Sequence, residues 1–193
     1  MTHIYNKIES SRIFGTAIWV TVSKDSNIER LQNGIAQAIG LELSNKEDEM
    51  RRSMELFQAL MRREKFVIIF DDVWKSFPLE KVGIPEGNAY KIVLTTRLKN
   101  VCLAMQCQEK IEVKALSKEE AWELFKERLG ADLVLSPEVE PIAKLVGEEC
   151  GGLPRRIITI ASEMREKDDI REWRNALEEL KCSMMEMEGM DDK

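Results

Sequence analysis

A run of five apolar residues, Phe66 to Phe70, leads directly into two adjacent aspartates, Asp71 and Asp72. An apolar run of this length is typical of a strand buried on both faces, as in a parallel sheet. Open α/β sheets bind their ligands at the edge where the carboxyl ends of the strands meet. Two carboxylates there can hold Mg²⁺ and orient a water molecule beside a phosphate. The run therefore predicts a candidate nucleoside triphosphate site, and the alternative is a turn in which Asp72 caps a following helical turn.

A second buried strand is predicted at residues 91–95, and it ends at Thr95-Thr96-Arg97. We expect Arg97 to emerge on the same edge of the sheet as Asp71. A planar guanidinium at that edge can make two hydrogen bonds to a terminal phosphate, and so sense whether the γ-phosphate is present. Thr96 and its neighbour Thr95 offer hydroxyls to phosphate or water. The alternative is that Arg97 caps a helix or pairs with an acidic residue.

Strands and helices alternate around these two segments. Residues 16–22 are rich in β-branched and aromatic residues and predict a strand, and Ser26 with Glu29 predicts a capping box for the helix that follows. The alternation predicts an α/β fold: a mainly parallel sheet with helices on both faces, completed by a brief strand at residues 111–113. The next helix has four apolar residues at helical spacing, here called the methionine stripe, which we expect to lie in the core: Met50, Met54, Phe57 and Met61.

The character of the chain changes near Leu116. Ser117 and Glu120 predict a second capping box. Gly151-Gly152 predicts the end of a later helix, and Pro154 can begin the next helix from its first turn. The sequence therefore predicts an α/β subdomain, an all-helical subdomain and a tail, at residues 1–113, 114–182 and 183–193.

The phosphate-binding half of a nucleotide site is not found in this sequence. A P-loop needs the pattern G-x-x-x-x-G-K-[ST], so that backbone amides surround the phosphates and the lysine neutralises them. The 193 residues contain no Gly-Lys pair and no G-x-G-x-x-G. Judged from its residues alone, the chain has the metal side of a site without the phosphate side.

Composition argues against three kinds of partner: nucleic acid, membrane and zinc. The formal net charge of −6 argues against a nucleic-acid backbone as the main partner. The longest apolar run has five residues, far fewer than a membrane span needs. Four scattered cysteines show no zinc-type spacing and indicate reduced thiols in an intracellular protein.

Taken in order, these motifs resemble the NB-ARC domain of plant intracellular resistance proteins of the nucleotide-binding, leucine-rich-repeat class. Trp74, which follows Asp-Asp-Val, resembles the coiled-coil branch of that class rather than the Toll-like branch. The similarity covers nearly all of residues 1–180. The segments that resemble family motifs are the strand after the first helix, kinase-2 (Walker B), the sensor strand, the Leu-Ser-x-x-Glu-Ala-Trp block and the Gly-Leu-Pro motif, at residues 17–23, 66–74, 91–97, 113–125 and 150–154.

The resemblance implies a switch that binds ADP at rest and exchanges it for ATP. It implies metal binding by Asp71, positioning of the catalytic water by Asp72, γ-phosphate sensing by Arg97 and adenine contact by Pro154. It also implies a cytoplasmic protein whose partners are the coiled coil and the leucine-rich repeats of a receptor, or other receptors. Arg155-Arg156 depart from the family, which has Leu-Ala after Gly-Leu-Pro.

In that family the phosphate loop immediately precedes the segment similar to residues 1–8. The resemblance therefore implies a fragment that begins after the loop. The residues themselves also predict the end of a helix at residues 1–9, since Ile4 and Ile8 lie one turn apart. We expect this polypeptide to bind ADP, ATP and Mg²⁺ poorly. Two alternatives stay open: a nucleotide-free interaction module that pairs with a full-length receptor, and another ATPase switch of the same superfamily (STAND type).

Overall fold

A computed structural model of the chain describes residues 6–7, 14–44, 48–63, 65–85, 90–130 and 135–191, with side chains up to Ser183. The predicted helix end at residues 1–9 lies outside the described residues, except for residues 6–7. The chain divides into two compact units, Met1–Lys110 and Ile111–Lys193. Within the described ranges, no helix is long and apolar enough to span a bilayer.

The first unit is built on a parallel sheet. Its described strands pair in the order β1-β2-β3, with Thr16 opposite Phe66 and Phe66 opposite Tyr90. The elements of this unit are β1 (Thr16–Thr21), α1 (Ile28–Ala38), α2 (Glu49–Met61), β2 (Phe66–Asp71), a 3₁₀ turn (Glu80–Val82), β3 (Tyr90–Leu94) and α3 (Lys99–Ala104).

The central strand β2 is buried on both faces. Phe66, Ile68 and Phe70 belong to the core that the sheet forms with α1 and α2, and Val67 and Ile69, which alternate with them, are also buried. A strand enclosed on both sides needs apolar side chains at every position, which is why its sequence is a continuous run. The prediction of a parallel α/β sheet with helices on both faces is confirmed.

Helix α1 begins one residue later than predicted. Asn27 is its N-cap, and the Asn27 side chain accepts a hydrogen bond from the Arg30 backbone amide at 2.9 Å. The predicted capping box of Ser26 and Glu29 is wrong because the Ser26 hydroxyl is used in the preceding loop, where it accepts from the Ser23 backbone amide at 2.9 Å.

The methionine stripe lies on the surface, so its predicted place in the core is wrong. The exposed fractions of Met50, Met54, Phe57 and Met61 are 74%, 58%, 43% and 59%. Helix α2 buries a different face, formed by Arg52, Leu56 and Leu60. The prediction of the buried face failed because this face contains an arginine, Arg52, which forms an ion pair with Glu29 at 3.3 Å.

The predicted strand at residues 111–113 is also wrong. The segment pairs with no strand among the described residues, and Ile111 and Val113 are almost fully exposed. β-branched residues favour extended backbone, but a strand also needs a neighbour for its amides and carbonyls. In the described part of the chain the sheet has three strands, and this segment pairs with none of them.

The second unit is helical. Its described helices are α4 (Lys118–Leu129), α5 (Glu140–Glu149), α6 (Pro154–Glu163) and α7 (Ile170–Asp191). Phe125 and Trp173 are fully buried in its core, with ring centroids 6.4 Å apart. The capping box predicted for α4 is confirmed, since the Ser117 amide donates to Glu120 Oε2 at 2.9 Å and the Glu120 amide donates to Ser117 Oγ at 3.2 Å.

Candidate functional site

The carboxyl ends of β2 and β3 lie side by side. Phe70 is paired with Leu94 in parallel register, so the next residues, Asp71 and Thr95, follow at the same edge. Two backbone bonds extend the pairing past the strands: the Thr95 amide donates to the Phe70 carbonyl at 2.9 Å, and the Val73 amide donates to the Thr95 carbonyl at 2.8 Å. The edge is therefore held by backbone hydrogen bonds on both sides of the aspartates.

The hydroxyl of Thr95 connects the two aspartates. It donates to Asp71 Oδ1 at 2.6 Å and accepts from the Asp72 backbone amide at 2.8 Å. Thr96 has a local role instead, since its hydroxyl accepts from the Leu98 amide at 3.0 Å. The predicted hydroxyl at the site was that of Thr96, but the parallel register of β2 and β3 places Thr95 beside the carboxylates.

Asp72 has an unusual backbone conformation. Its φ is +62°, in the left-handed region that aspartate tolerates better than most residues. In this conformation Asp72 Oδ2 accepts a hydrogen bond from Trp74 Nε1 at 3.0 Å, and Oδ1 lies 3.6 Å from Arg97 Nε. The alternative in which Asp72 caps a helical turn is not observed, because its carboxylate contacts an indole and a guanidinium.

Arg97 lies at the edge where it was predicted, and it pairs with an acidic residue, as the alternative reading held. Its side chain is 74% exposed and that of Asp72 is 42% exposed. An ion pair this accessible contributes little to stability, at most about 1 kcal/mol. Arg97 can therefore exchange Asp72 for another anion at low cost.

Two cationic side chains lie over the Trp74 ring at this edge, a contact that the sequence did not predict. The Arg97 guanidinium carbon lies 5.3 Å from the centroid of the Trp74 ring, and Lys24 Nζ lies 5.5 Å from it. Both distances are within the range of cation–π attraction. Trp74 also lines a cleft of about 340 Å³, and among the described residues that line it are Lys24, Lys75 and Lys81 but no carboxylate. This side of the edge is therefore positive.

The metal-binding capacity of the edge is limited. Among the described residues, no group of three or more His, Cys, Asp or Glu side chains is placed to hold a metal ion. Mg²⁺ is commonly held by one or two carboxylates, with phosphate oxygens and water completing its coordination. Asp71 and Asp72 fit that pattern, so these residues suit Mg²⁺ that arrives with a phosphate rather than a resident ion.

Pro154 belongs to the second unit, where it is the exposed first residue of α6. The turn before it needs glycine, because Gly152 has φ +68° and a Cβ there would lie 2.4 Å from the Leu116 carbonyl oxygen. The Leu116 amide donates to the Gly152 carbonyl at 2.9 Å, which closes the contact. Arg155 is exposed and Arg156 partly exposed, so the two arginines do not enter the core.

Comparison with known proteins gives the family. Residues 1–132 match the NB-ARC domain. The chain is 37% identical over 183 residues to disease resistance protein At4g27190 of Arabidopsis thaliana, covering 93% of this chain and 18% of that protein. It is 35% identical over 198 residues to disease resistance protein SUMM2 and 35% identical over 203 residues to disease resistance protein RPS5, both of Arabidopsis thaliana.

Each of the last two alignments covers 22% of the relative and nearly all of this chain, 99% and 100%. The chain therefore spans about a fifth of the length of these relatives. The match includes β2 and β3, whose carboxyl ends form the sheet edge that carries Asp71 and Asp72, here called the carboxylate edge. It extends from there into the helical unit. The chain belongs to the NB-ARC domain family, and its relatives are plant disease resistance proteins.

Proposed function

We propose that this chain is the nucleotide-binding switch region of a cytoplasmic plant disease resistance protein of the coiled-coil branch, which acts in defence. Its ligand is an adenine nucleotide, ADP or ATP, with Mg²⁺. Asp71 binds the metal, Asp72 positions water, and Arg97 with Thr96 contacts phosphate. Pro154, in the helical subdomain, contacts adenine, and the coiled coil and leucine-rich repeats of the receptor are its further partners.

One observation supports the assignment most: the Asp71–Thr95–Asp72 arrangement, with Arg97 beside it, at the carboxyl edge of a parallel sheet. Thr95 fixes Asp71 Oδ1 by a 2.6 Å hydrogen bond, which orients the carboxylate. This is the edge at which open α/β sheets bind ligands.

In this proposal Arg97 distinguishes ATP from ADP by exchanging its contact with Asp72 for one with the γ-phosphate. Its contact with Asp72 is a single, exposed approach of 3.6 Å. A γ-phosphate offers the guanidinium two charge-assisted hydrogen bonds, which are shorter and stronger than this contact. Arg97 then moves from Asp72 to phosphate, and Asp72 is released to orient water.

The sequence given lacks the phosphate-binding pattern, and this sets the expected strength of binding. With no Gly-Lys pair in its 193 residues, the polypeptide has no P-loop lysine to neutralise the phosphates. We therefore infer that it binds Mg-ADP and Mg-ATP weakly and hydrolyses ATP negligibly. The same observation favours the second candidate, a nucleotide-free interaction module.

Calorimetric titration tests both the weak binding of nucleotides and the sensing of the γ-phosphate by Arg97. We expect dissociation constants of about 1 mM for Mg-ATP and Mg-ADP. Arg97→Ala should weaken Mg-ATP binding several-fold and leave Mg-ADP unchanged, whereas Arg30→Ala, at an exposed arginine on α1, should change neither. Micromolar affinity for Mg-ADP would contradict weak binding. Equal losses of both nucleotides in Arg97→Ala would contradict γ-phosphate sensing, and no binding at all would favour the interaction module.

A further inference from the structure

The methionine stripe is a contiguous apolar surface on a regular helix. Its members follow the spacing i, i+4, i+7 and i+11 along α2, and all four are exposed. At 100° per residue they fall on one narrow face, and at 1.5 Å per residue they extend over about 16 Å. Single exposed apolar residues are ordinary, but a continuous patch marks an interaction surface.

Helix α2 is held so that this face points outward. The Gln32 amide donates to the Glu49 carbonyl at 2.9 Å and to the Lys81 carbonyl at 2.7 Å. The Ser53 hydroxyl donates to the Glu80 carbonyl at 2.6 Å. Gly83 lies so close to the helix that a Cβ on it would be 2.5 Å from Leu56 Cβ. Rotation of α2 to bury the stripe would break these contacts, so the exposure is a property of the fold.

The charges beside the stripe indicate the chemistry of the partner. At 100° per residue, Arg51 and Arg62 lie on the same side of the stripe, near its two ends, with Gln58 between them. Arg51 is 63% exposed, and its contact with Glu55 is long, at 3.9 Å. The Glu55 carboxylate is also engaged by Ser44, whose amide donates to Oε2 at 3.0 Å. Two arginines and one carboxylate lie on this side of the stripe, so its net charge is positive, and we call it the basic rim.

On the other side of the stripe the nearby carboxylate is that of Glu49, and it forms an ion pair with Lys81 at 3.3 Å.

The basic rim also argues against a second copy of the chain as the partner. If two copies paired antiparallel through their stripes, the two-fold axis would bring Arg51 of one copy beside Arg62 of the other. Like charges at that position oppose the pairing.

We propose that the methionine stripe, with the rim of Arg51 and Arg62, docks an acidic amphipathic helix of a partner protein. The partner helix places apolar residues against the stripe and carboxylates against the two arginines, as two helices pack through their apolar faces in a coiled coil. Methionine suits this role because its flexible, polarisable side chain adapts to the surface that it meets. The chain has a formal net charge of −6, so the attraction for an acidic helix is local to the rim.

Two synthetic peptides of about 15 residues, roughly four helical turns, test the proposal on the 193-residue chain. Both carry leucine at i, i+4, i+7 and i+11, and they differ only in having glutamate or lysine at the flanking positions. We expect the glutamate peptide to bind at least tenfold more tightly in fluorescence anisotropy. Raising the salt concentration from about 0.05 to 0.5 M should remove most of this preference.

Variants separate the apolar and charged contributions. Phe57→Glu should abolish binding, and Arg51→Glu with Arg62→Glu should reverse the preference toward the lysine peptide. Leu145→Glu, at an exposed apolar residue of α5, should leave binding unchanged. Circular dichroism verifies that each variant is folded.

Three outcomes would overturn the proposal: equal binding of the two peptides, binding that survives Phe57→Glu, and no binding of the glutamate peptide at several hundred micromolar. Light scattering tests for a fourth such outcome. If the chain forms a dimer and Phe57→Glu makes that dimer dissociate, the occupant of the stripe is a second copy of the chain.

Discussion

The two units differ in how directly sequence predicts which face of a helix is buried. In the helical unit, apolar residues at helical spacing form the faces that pack, with Phe125 on α4 and Trp173 on α7 fully buried. In the α/β unit, α2 has two faces that compete. The more apolar one, the methionine stripe, is exposed, while the face with Arg52, Leu56 and Leu60 is buried. A single apolar face is thus predictable, whereas a choice between two faces depends on the surface that the helix meets.

The largest expected effect concerns the turn before α6 in the helical unit. Gly152→Ala should lower the free energy of unfolding by about 3 kcal/mol or more, because a Cβ at φ +68° meets the Leu116 carbonyl at 2.4 Å. Gly151→Ala is the matched control, with φ +63° and nothing within 4 Å of its Cβ, and should cost about 1 kcal/mol. Urea denaturation measures both, and hydrogen exchange should locate the loss in α4 and α6. Equal costs would show that the close contact is unimportant.

The next effect tests the choice of face on α2 directly. Leu56→Ala should destabilise the chain by about 2–5 kcal/mol, because it leaves a cavity in the core of the α/β unit. Phe57→Ala, at the next residue along the same helix, should change stability by less than about 0.5 kcal/mol, since it lies on the exposed stripe. Thermal and urea unfolding read out both variants. A large loss from Phe57→Ala would mean that the stripe is packed, and the contrast between the units would disappear.

Helix caps provide a smaller comparison between the units. Ser117→Ala removes the capping box of α4 and Asn27→Ala removes the side-chain cap of α1, and each should cost about 1 kcal/mol. Ser26→Ala should cost less than half as much, because Ser26 bonds only within the exposed loop before α1. Chemical denaturation with hydrogen exchange at the two helix starts distinguishes them. If Ser26→Ala proved as costly as Asn27→Ala, the helix would begin where the sequence first predicted.

The smallest effect is a pH dependence in the helical unit. Burial raises the pKa of the Cys150 thiol above its ordinary value of 9.0. Above that pH the unfolded chain loses this proton while the folded chain keeps it, so stability is full below pH 9.0 and falls as the pH rises. Cys150→Ala should therefore reduce the loss of stability between about pH 8 and pH 10, measured by urea unfolding. Cys182→Ala, at an exposed cysteine, should leave that loss unchanged.

Much of the carboxylate edge could be predicted from sequence. Continuous apolar runs identified β2 and β3, and parallel pairing was enough to expect Asp71 and Arg97 at one edge. Sequence favoured Thr96 as the hydroxyl at the site, whereas the pairing of Phe70 with Leu94 places Thr95 beside Asp71. The partnership of Asp72 with Trp74 and Arg97 depends on a left-handed φ of +62°, which no periodicity reveals.

Sequence by itself determined the strands β2 and β3, the parallel sheet, the start of α4 and the glycine turn before α6. These features follow from local chemistry: apolar runs, caps and glycines act through residues a few positions away. Tertiary structure alone decided that Ile111 and Val113 pair with no described strand, that α2 exposes its methionines and that Thr95 joins the two aspartates. Each of these depends on which surface lies opposite, and that surface is formed by residues distant in the chain.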